Sequence, residues 1–382
     1  MNHEHNHNRK SSTRAAKRAA AAAIAVLALV ALALLALFSG RGVSSGTLSG
    51  IVIAGSANGS DAEPYTYETG SQQAFARAGD GFAVASTSSL QLVNSAGVMV
   101  GKEICSFATP AVSASSDYAI FFDIGGTGCV KMGFDGSKTA IEPAGTIISA
   151  CMSASGYYTV ITERSGYKGL VSVYNPKGEL VYEWYSGEGY AIKADVSPDG
   201  KHLAVLCITE TGSVVHTFAL TSTAEKAKIR YEGKLLFELK FMNSSTVCSL
   251  GENGIYFTSI DGAKTSAQTF DYWYLCDYCI HSGDVAVLYL SRYRTGADGK
   301  LFTVDSSGKV LGSLPMENGV LSLSANGKNI LVMTGSSLEL YSSDLSLKKQ
   351  HEHLITAKRA FLRRDESVLL MSSYYADVFV FE

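Results

Sequence analysis

The sequence predicts an all-β fold, because one short phrase recurs along most of its 382 residues. Its clearest copy is "DVSPDGKHLAVLCI", from Asp195 to Ile208, in which the polar turn "SPDG" separates two apolar runs. Apolar runs of four to eight residues joined by such turns are typical of antiparallel strands. Beyond residue 38 no segment has the periodicity of an amphipathic helix.

Eight copies of the phrase follow one another at intervals of roughly 40 residues. They begin at Phe75, Val112, Ala150, Ala194, Leu239, Asp277, Leu321 and Ala360. Each continues through a second and a third run, a Gly-containing turn and a fourth run. Units of this length with four strands each predict an eight-bladed β-propeller, since stacked blades cover both faces of every sheet. Seven blades is the alternative, if the first or the fifth repeat is not a full sheet.

The last unit ends at Glu382 after about three strands, so a strand from the N-terminal region is expected to complete it. Two segments are candidates for this strand, "TLSGIVIAG" and the residues near Tyr65. Either would close the ring and leave only short sheet edges exposed.

The repeats from Tyr65 to Glu382 resemble degenerate WD-repeat-like propellers, which occur as extracellular domains of single-pass bacterial membrane proteins of unknown function. The resemblance lies in the repeat period and the turn phrases, since the Trp-Asp and Gly-His signatures of true WD repeats are absent. The chain also has only two Trp and lacks the periodic tryptophan motif of quinoprotein propellers. We therefore expect no quinone and no other cofactor.

The segment Ala19–Phe38 contains 20 uncharged, mostly apolar residues and predicts a transmembrane helix. Five basic residues precede it and only Arg41 follows closely, which predicts a cytoplasmic N-terminus and an extracytoplasmic propeller. A cleaved signal peptide is the alternative, but its apolar region is usually shorter and "LALFSGRG" is a poor cleavage site. The predicted organisation is a basic, His-rich tail (1–18), the membrane helix (19–38), a Gly/Ser-rich linker (39–63) and the propeller (64–382).

Charge argues against a nucleic-acid partner. The chain has 32 basic and 35 acidic residues, and the N-terminal 18 residues hold five of the basic and one of the acidic residues. The remaining 27 basic and 34 acidic residues give the body a net charge of −7. A negative body does not attract phosphates.

Recognition residues are expected on one face of the ring. If the four strands of a blade are A to D from the channel outwards, the A–B and C–D turns lie on one face, and the B–C and D–A loops lie on the other. Several of the B–C and D–A loops are longer and carry aromatic and arginine side chains, which dominate binding hot spots. The candidates are Tyr167, Trp273, Tyr274, Arg292, Tyr293 and Arg294. The alternative is that they pack against neighbouring blades.

The channel mouth is the second candidate site, with Lys193, Asp195 and Asp277 on inner strands. They could also pair with other inner-strand charges, such as Glu238 and Lys240. Cys276 and Cys279 form a C-x-x-C, but no second pair accompanies them and we predict no metal site. Cys279 aligns with core positions of other repeats and is expected to be structural.

Two classes of function remain. The first is a binding or scaffold propeller that recognises a protein, a wall polymer or a small ligand on its loop face. The alternative is an extracytoplasmic hydrolase or lyase with a site at the channel mouth. Because only five His lie outside the tail and no triad or metal spacing is evident, the sequence favours binding.

Overall fold

A computed structural model describes residues 64–68, 70, 72–280, 285–296, 298–352 and 357–382. The tail 1–18, the predicted membrane segment 19–38 and the linker 39–63 lie outside these residues. In the described part of the chain, no helix has the length and apolar character needed to cross a membrane.

The described residues form eight sheets of four antiparallel strands, which confirms the predicted eight-bladed propeller. In chain order the first half comprises β1 (Tyr65–Thr66), β2 (Gln73–Ala78), β3 (Gly81–Ser86), β4 (Ser89–Val93), β5 (Met99–Ile104), β6 (Pro110–Ala114), β7 (Tyr118–Asp123), β8 (Cys129–Gly133), β9 (Lys138–Ala140), β10 (Ile147–Met152), β11 (Tyr158–Thr162), β12 (Leu170–Tyr174), β13 (Leu180–Tyr185), β14 (Tyr190–Val196), β15 (His202–Thr209), β16 (Gly212–Ala219) and β17 (Glu225–Glu232). The second half comprises β18 (Leu236–Asn243), β19 (Thr246–Gly251), β20 (Gly254–Ser259), β21 (Thr265–Thr269), β22 (Tyr274–Ile280), β23 (Val285–Ser291), β24 (Gly299–Asp305), β25 (Val310–Met316), β26 (Val320–Asn326), β27 (Asn329–Thr334), β28 (Ser337–Ser342), β29 (Leu347–Glu352), β30 (Arg359–Leu362), β31 (Val368–Met371) and β32 (Tyr375–Phe379).

Seven blades are built from four consecutive strands, beginning with β2–β5 as blade 1 and ending with β26–β29 as blade 7. Blade 8 contains β30, β31 and β32, and β1 is its fourth strand. Tyr65 pairs with Ala376 and Thr66 with Tyr375. The ring is thus closed by the segment near Tyr65, one of the two predicted candidates. The other, "TLSGIVIAG", lies outside the described residues.

Burial follows the position of a strand within its blade. The second strands β3 and β23 are buried at every residue, because neighbouring blades cover both of their faces. The outermost strands alternate, as in β25, where exposed residues separate partly buried ones. Side chains of adjacent blades form shared cores: Val287 and Tyr289 of blade 6 pack with Val332 and Tyr341 of blade 7.

The phrase that predicted the fold is a strand–turn–strand corner. Gly200 has a φ of 70°, which an L side chain rarely adopts, and its N–H donates to the Ser197 carbonyl at 2.8 Å. The Ser197 hydroxyl accepts the N–H of His202 at 2.9 Å and donates to the Asp199 carboxylate at 2.6 Å. Asp199 therefore holds the turn, as the sequence predicted.

Candidate functional site

Two loops of blade 6 bring predicted recognition residues together. Trp273 and Tyr274 lie at the start of β22, and Arg292 and Arg294 lie in the loop between β23 and β24. The Arg292 guanidinium carbon is 5.2 Å from the centre of the Trp273 ring, and that of Arg294 is 5.2 Å from the centre of the Tyr274 ring. These are cation–π contacts between the two loops. We refer to Trp273, Tyr274, Arg292, Tyr293 and Arg294 as the blade 6 cluster.

Most of the blade 6 cluster is exposed. Tyr293 is 59% exposed and Tyr274 is 39% exposed, and the adjoining Tyr272, which was not singled out from the sequence, is fully exposed. In the part of the chain that the structure describes, the ion pairs of these arginines are long and at the surface, from Arg292 to Asp298 at 3.4 Å and from Arg294 to Glu252 at 3.5 Å. Exposed pairs of this kind contribute little to stability, so a partner's carboxylates can replace them.

Trp273 has a packing role as well. Its ring is half-buried and packs against the core that blades 5 and 6 share. The Lys300 ammonium lies 4.3 Å from the ring centre, close to the Arg292 guanidinium on the same ring. Trp273 therefore packs between neighbouring blades, which is the predicted alternative to a role in recognition.

Tyr167 lies apart from the blade 6 cluster. It belongs to the loop between β11 and β12 of blade 3, and its ring centre is 4.9 Å from that of Tyr185 in the same blade. Topology places its loop on the same face of the ring, three blades away. The six predicted residues therefore form one cluster of five and one separate tyrosine.

Charged residues of the channel pair with one another. The Lys193 ammonium is 3.1 Å from Glu238 Oε2, which also accepts the Tyr278 hydroxyl at 3.1 Å. Arg359 is 3.9 Å from the Asp277 carboxylate. Burial opposes the charge on Glu238, but Lys193 and Lys240 outweigh it and hold the pKa of Glu238 below its usual range. Lys193 and Asp277 thus take part in links between inner strands, as the alternative predicted.

Asp195 connects blades 4 and 5. It is buried, and its carboxylate accepts the N–H of Phe241 at 2.9 Å and that of Val196 at 3.0 Å. Inner-strand serines make the same link elsewhere: Ser113 accepts the N–H of Met152, and Ser324 accepts that of Leu362, each at 3.0 Å. Asp195 therefore stabilises the contact between blades 4 and 5, a role that the sequence alone did not indicate.

Cys151, which was not singled out from the sequence, meets the inner-strand charge Lys240 beside Asp195. The Lys240 ammonium is 3.0 Å from Cys151 Sγ, which is 3.6 Å from Asp195 Oδ1. Burial raises the pKa of the Cys151 thiol to about 11, although Lys240 acts in the opposite direction. Burial disfavours the charge of Lys240, but Asp195 and Cys151 raise its pKa above the usual range. At neutral pH the lysine is therefore charged and the thiol is not.

Cys279 lies on the wall of the channel and not only in the core. The backbone of Cys279 pairs with that of Val287. The last paired residue of β22 is Ile280, and the last paired residue of β14 in blade 4 is Val196, so Ile280 is the structural equivalent of Val196. The sequence alignment is therefore one residue out at Cys279, although β14 and β22 have bulges at equivalent positions. Among the described residues, no three His, Cys, Asp or Glu side chains form a group that could hold a metal ion.

A cavity of about 630 Å³ occupies the channel. Its walls are formed by the inner strands of all eight blades and by A–B turns, which include Gly79, Ser116 and Gly327. The cavity therefore opens towards the face opposite the blade 6 cluster, which we call the turn face.

The fold of the propeller resembles solved propellers of unrelated sequence. A computationally designed protein, Ika8, matches with a TM-score of 0.59 at 10% identity, over 83% of this chain and 99% of that chain. The C-terminal WD40 domain of Sif2 matches with a TM-score of 0.58 at 9% identity, over 83% and 98%. Sqt1 of Saccharomyces cerevisiae matches with a TM-score of 0.59 at 10% identity, over 84% and 98%. At such identities the likeness shows a WD40-like propeller fold alone.

Comparison by sequence gives a family without an assigned activity. No curated protein matches the chain. A family described as "Family of unknown function (DUF5711)" matches residues 61–373, which is most of the sequence. The protein therefore belongs to the DUF5711 family.

Proposed function

We propose that this protein is a membrane-anchored, extracytoplasmic binding or scaffold propeller that recognises a protein partner through the blade 6 cluster. The observation that carries the proposal is the contact of Arg294 with Tyr274, beside the exposed Tyr293. Tyr and Arg supply much of the energy at protein interfaces, because aromatic rings bury large areas and lose little side-chain entropy.

The charges of the cluster suit a partner that presents carboxylates. Among the described residues, the ion pairs of Arg292 and Arg294 with Asp298 and Glu252 are long and at the surface, and a guanidinium can bind a carboxylate through two parallel hydrogen bonds. Because these surface pairs contribute little to stability, giving them up to bind a partner's carboxylates costs little free energy. The tyrosines beside these arginines supply the apolar area that excludes water from such an interface.

Membrane anchoring is the second part of the proposal, and the sequence supports it. Ala19–Phe38 is long enough to span a bilayer, and the basic residues before it favour a cytoplasmic N-terminus. Protease added to intact cells should digest epitopes beyond Phe38 and spare the N-terminal tail. Digestion of the tail with protection of the later epitopes would contradict this orientation.

The alternative function, a hydrolase or lyase at the channel mouth, has less support. A general acid or base must be able to reach a substrate proton. Glu238 is held by Lys193 and Tyr278, and the Asp195 carboxylate accepts two backbone N–H groups. These arrangements fit the stabilisation of neighbouring blades.

Recognition is tested by site-specific photo-crosslinking in cells. A crosslinker at position 293 should give discrete protein adducts, and Arg294→Ala should reduce their yield several-fold while the protein stays folded. Position 328 is the matched control, since Lys328 is exposed on the turn face. Equal adducts from positions 293 and 328 would refute the proposal. Adducts removed by wall-degrading enzymes would indicate a polymer in place of a protein.

A further inference from the structure

The channel cavity is a second place where a ligand can bind, and it is independent of the blade 6 cluster. Its walls include the A–B turns, whereas the cluster lies in the B–C and D–A loops of the opposite face. Its volume of about 630 Å³ falls within the usual range for small-molecule sites.

The charged residues that line the cavity are mostly cationic. Three of them are basic, Arg77, Lys240 and Arg364, and one is acidic, Asp195. The Asp195 carboxylate already accepts two backbone N–H groups and lies within the Cys151–Lys240 group. The cavity wall itself therefore carries more positive than negative charge, although Asp80, outside the wall, lies 3.9 Å from Arg364, and Glu238 also acts on Lys240.

The cationic groups come from opposite sides of the ring. Arg77 is on β2 of blade 1, and Arg364 is in the A–B turn of the adjoining blade 8. Lys240 is on β18 of blade 5, which lies opposite blade 1 in a ring of eight. A ligand with one anionic group at each end can therefore contact both sides at once.

Neutral side chains of the wall add hydrogen-bond donors. Ser113 and Ser324 line the cavity, and each hydroxyl oxygen accepts a backbone N–H of the next blade. A hydroxyl that accepts in this way still has its own proton to donate. With basic groups and hydroxyl donors in one cavity, the complementary ligand is rich in acceptors and negatively charged.

We propose that the channel cavity binds a small linear dicarboxylate, with one carboxylate at Arg77 and Arg364 and the other at Lys240. A guanidinium matches the planar geometry of a carboxylate, whereas the lysine ammonium acts as a point charge. Phosphate carries its charge on a single centre, whereas the cations of the proposed site come from opposite sides of the ring. A monocarboxylate has only one of the two groups that the site requires.

The test uses the purified full chain and a series of straight-chain dicarboxylates from malonate to adipate. At least one member should bind saturably by calorimetry and raise the melting temperature with concentration, as ligands of the folded state do. Acetate at the same carboxylate concentration, and inorganic phosphate, should have much weaker effects. Failure of the whole series to bind, or equal binding of acetate or phosphate, would overturn the proposal.

Substitutions locate the site. Arg364→Gln changes a side chain that is 65% exposed at the rim, so the fold should survive, and the affinity should fall about tenfold. Lys240→Gln removes the cation beside Asp195 and Cys151. Provided that this variant folds, it should weaken binding by at least as much as Arg364→Gln. Lys328→Gln is the matched control, because Lys328 is an exposed turn-face cation outside the cavity wall. Wild-type affinity in Arg364→Gln, or an equal loss in Lys328→Gln, would refute the assignment.

Discussion

The backbone of Tyr65 pairs with that of Ala376, so the first described strand and the last one lie side by side in blade 8. The contact continues at Tyr67, whose buried hydroxyl donates to the carbonyl of Ser372 at 2.7 Å and to that of Tyr375 at 3.0 Å. A propeller without such closure would expose the edge of its last blade. The pairing of two distant chain segments is therefore what holds the ring together.

Tyr67→Phe should lower the free energy of unfolding by about 1 kcal/mol, because the hydrogen bond to the partly buried Ser372 carbonyl is lost. Urea unfolding measures this as a lower midpoint with an unchanged slope. Tyr65→Phe is the matched control, since its hydroxyl makes only an exposed contact of 3.4 Å with the Ser95 carbonyl. Equal effects of the two substitutions would mean that the Tyr67 hydrogen bonds do not contribute to closure.

Gly97→Ala should destabilise the protein more than Gly136→Ala. Both glycines lie in C–D turns with positive φ, 79° and 82°, so both substitutions bear the backbone strain of about 1 kcal/mol. A Cβ at Gly97 would lie 2.3 Å from the ring of Tyr65, whereas one at Gly136 would have no atom within 4 Å. The difference between the two unfolding free energies isolates the contact with the closing strand. Equal losses would contradict this account.

The sequence predicts the fold well because each blade needs the same corner. Among the described turns between first and second strands, a glycine has a positive φ in blades 1, 3, 4 and 7, at Gly79, Gly156, Gly200 and Gly327. Such periodic turns predict eight blades, with seven as the alternative. The position of the closing strand could be narrowed to two segments but not to one, because pairing over such a distance leaves no local signal.

The candidate sites are less predictable for a different reason. Bulges precede both Lys193 and Glu238, so the residues that face the channel cannot be found by counting alternate positions along a strand. The contact of Cys151 with Lys240 connects different blades and has no sequence spacing to reveal it. By contrast, the two loops of the blade 6 cluster flank the consecutive strands β22 and β23, and the antiparallel pairing of these strands brings the loops together.

Glu238→Gln should have a pH-dependent effect on stability. Lys193 and Lys240 outweigh burial and lower the pKa of folded Glu238, while the unfolded carboxyl titrates near the usual value of about 4.3. Its contribution is therefore complete above that value and disappears as the pH falls through the lowered pKa of the folded state. At pH 7 the substitution should cost about 3 kcal/mol, the scale for removing one partner of a buried pair.

The measurement is the difference in unfolding free energy between wild type and Glu238→Gln at several pH values. The difference should shrink as the pH falls from 5 to 3. Asp195, whose pKa burial raises, is present in both proteins and cancels from the difference. Glu142→Gln, at an exposed position outside the cavity wall, is the control and should show no such trend. A constant difference over this range would show that the charge of Glu238 does not stabilise the fold.

Trp273→Ala should destabilise the protein. The half-buried indole packs against the shared core of blades 5 and 6 and contacts both Arg292 and Lys300. Losing this packing and two cation–π contacts should cost about 2 kcal/mol. Trp184, the second tryptophan, remains as a fluorescent probe of unfolding beside His216 and Phe218.

Tyr293→Ala supplies the comparison within the same cluster. Tyr293 is 59% exposed, and a surface substitution of this kind usually changes stability by less than about 0.5 kcal/mol. Its effect should appear in partner capture and not in unfolding. If Trp273→Ala is as harmless as Tyr293→Ala, the indole is a surface group available to a partner. If Tyr293→Ala unfolds the protein, the exposed tyrosines support the blade and the recognition surface must lie elsewhere.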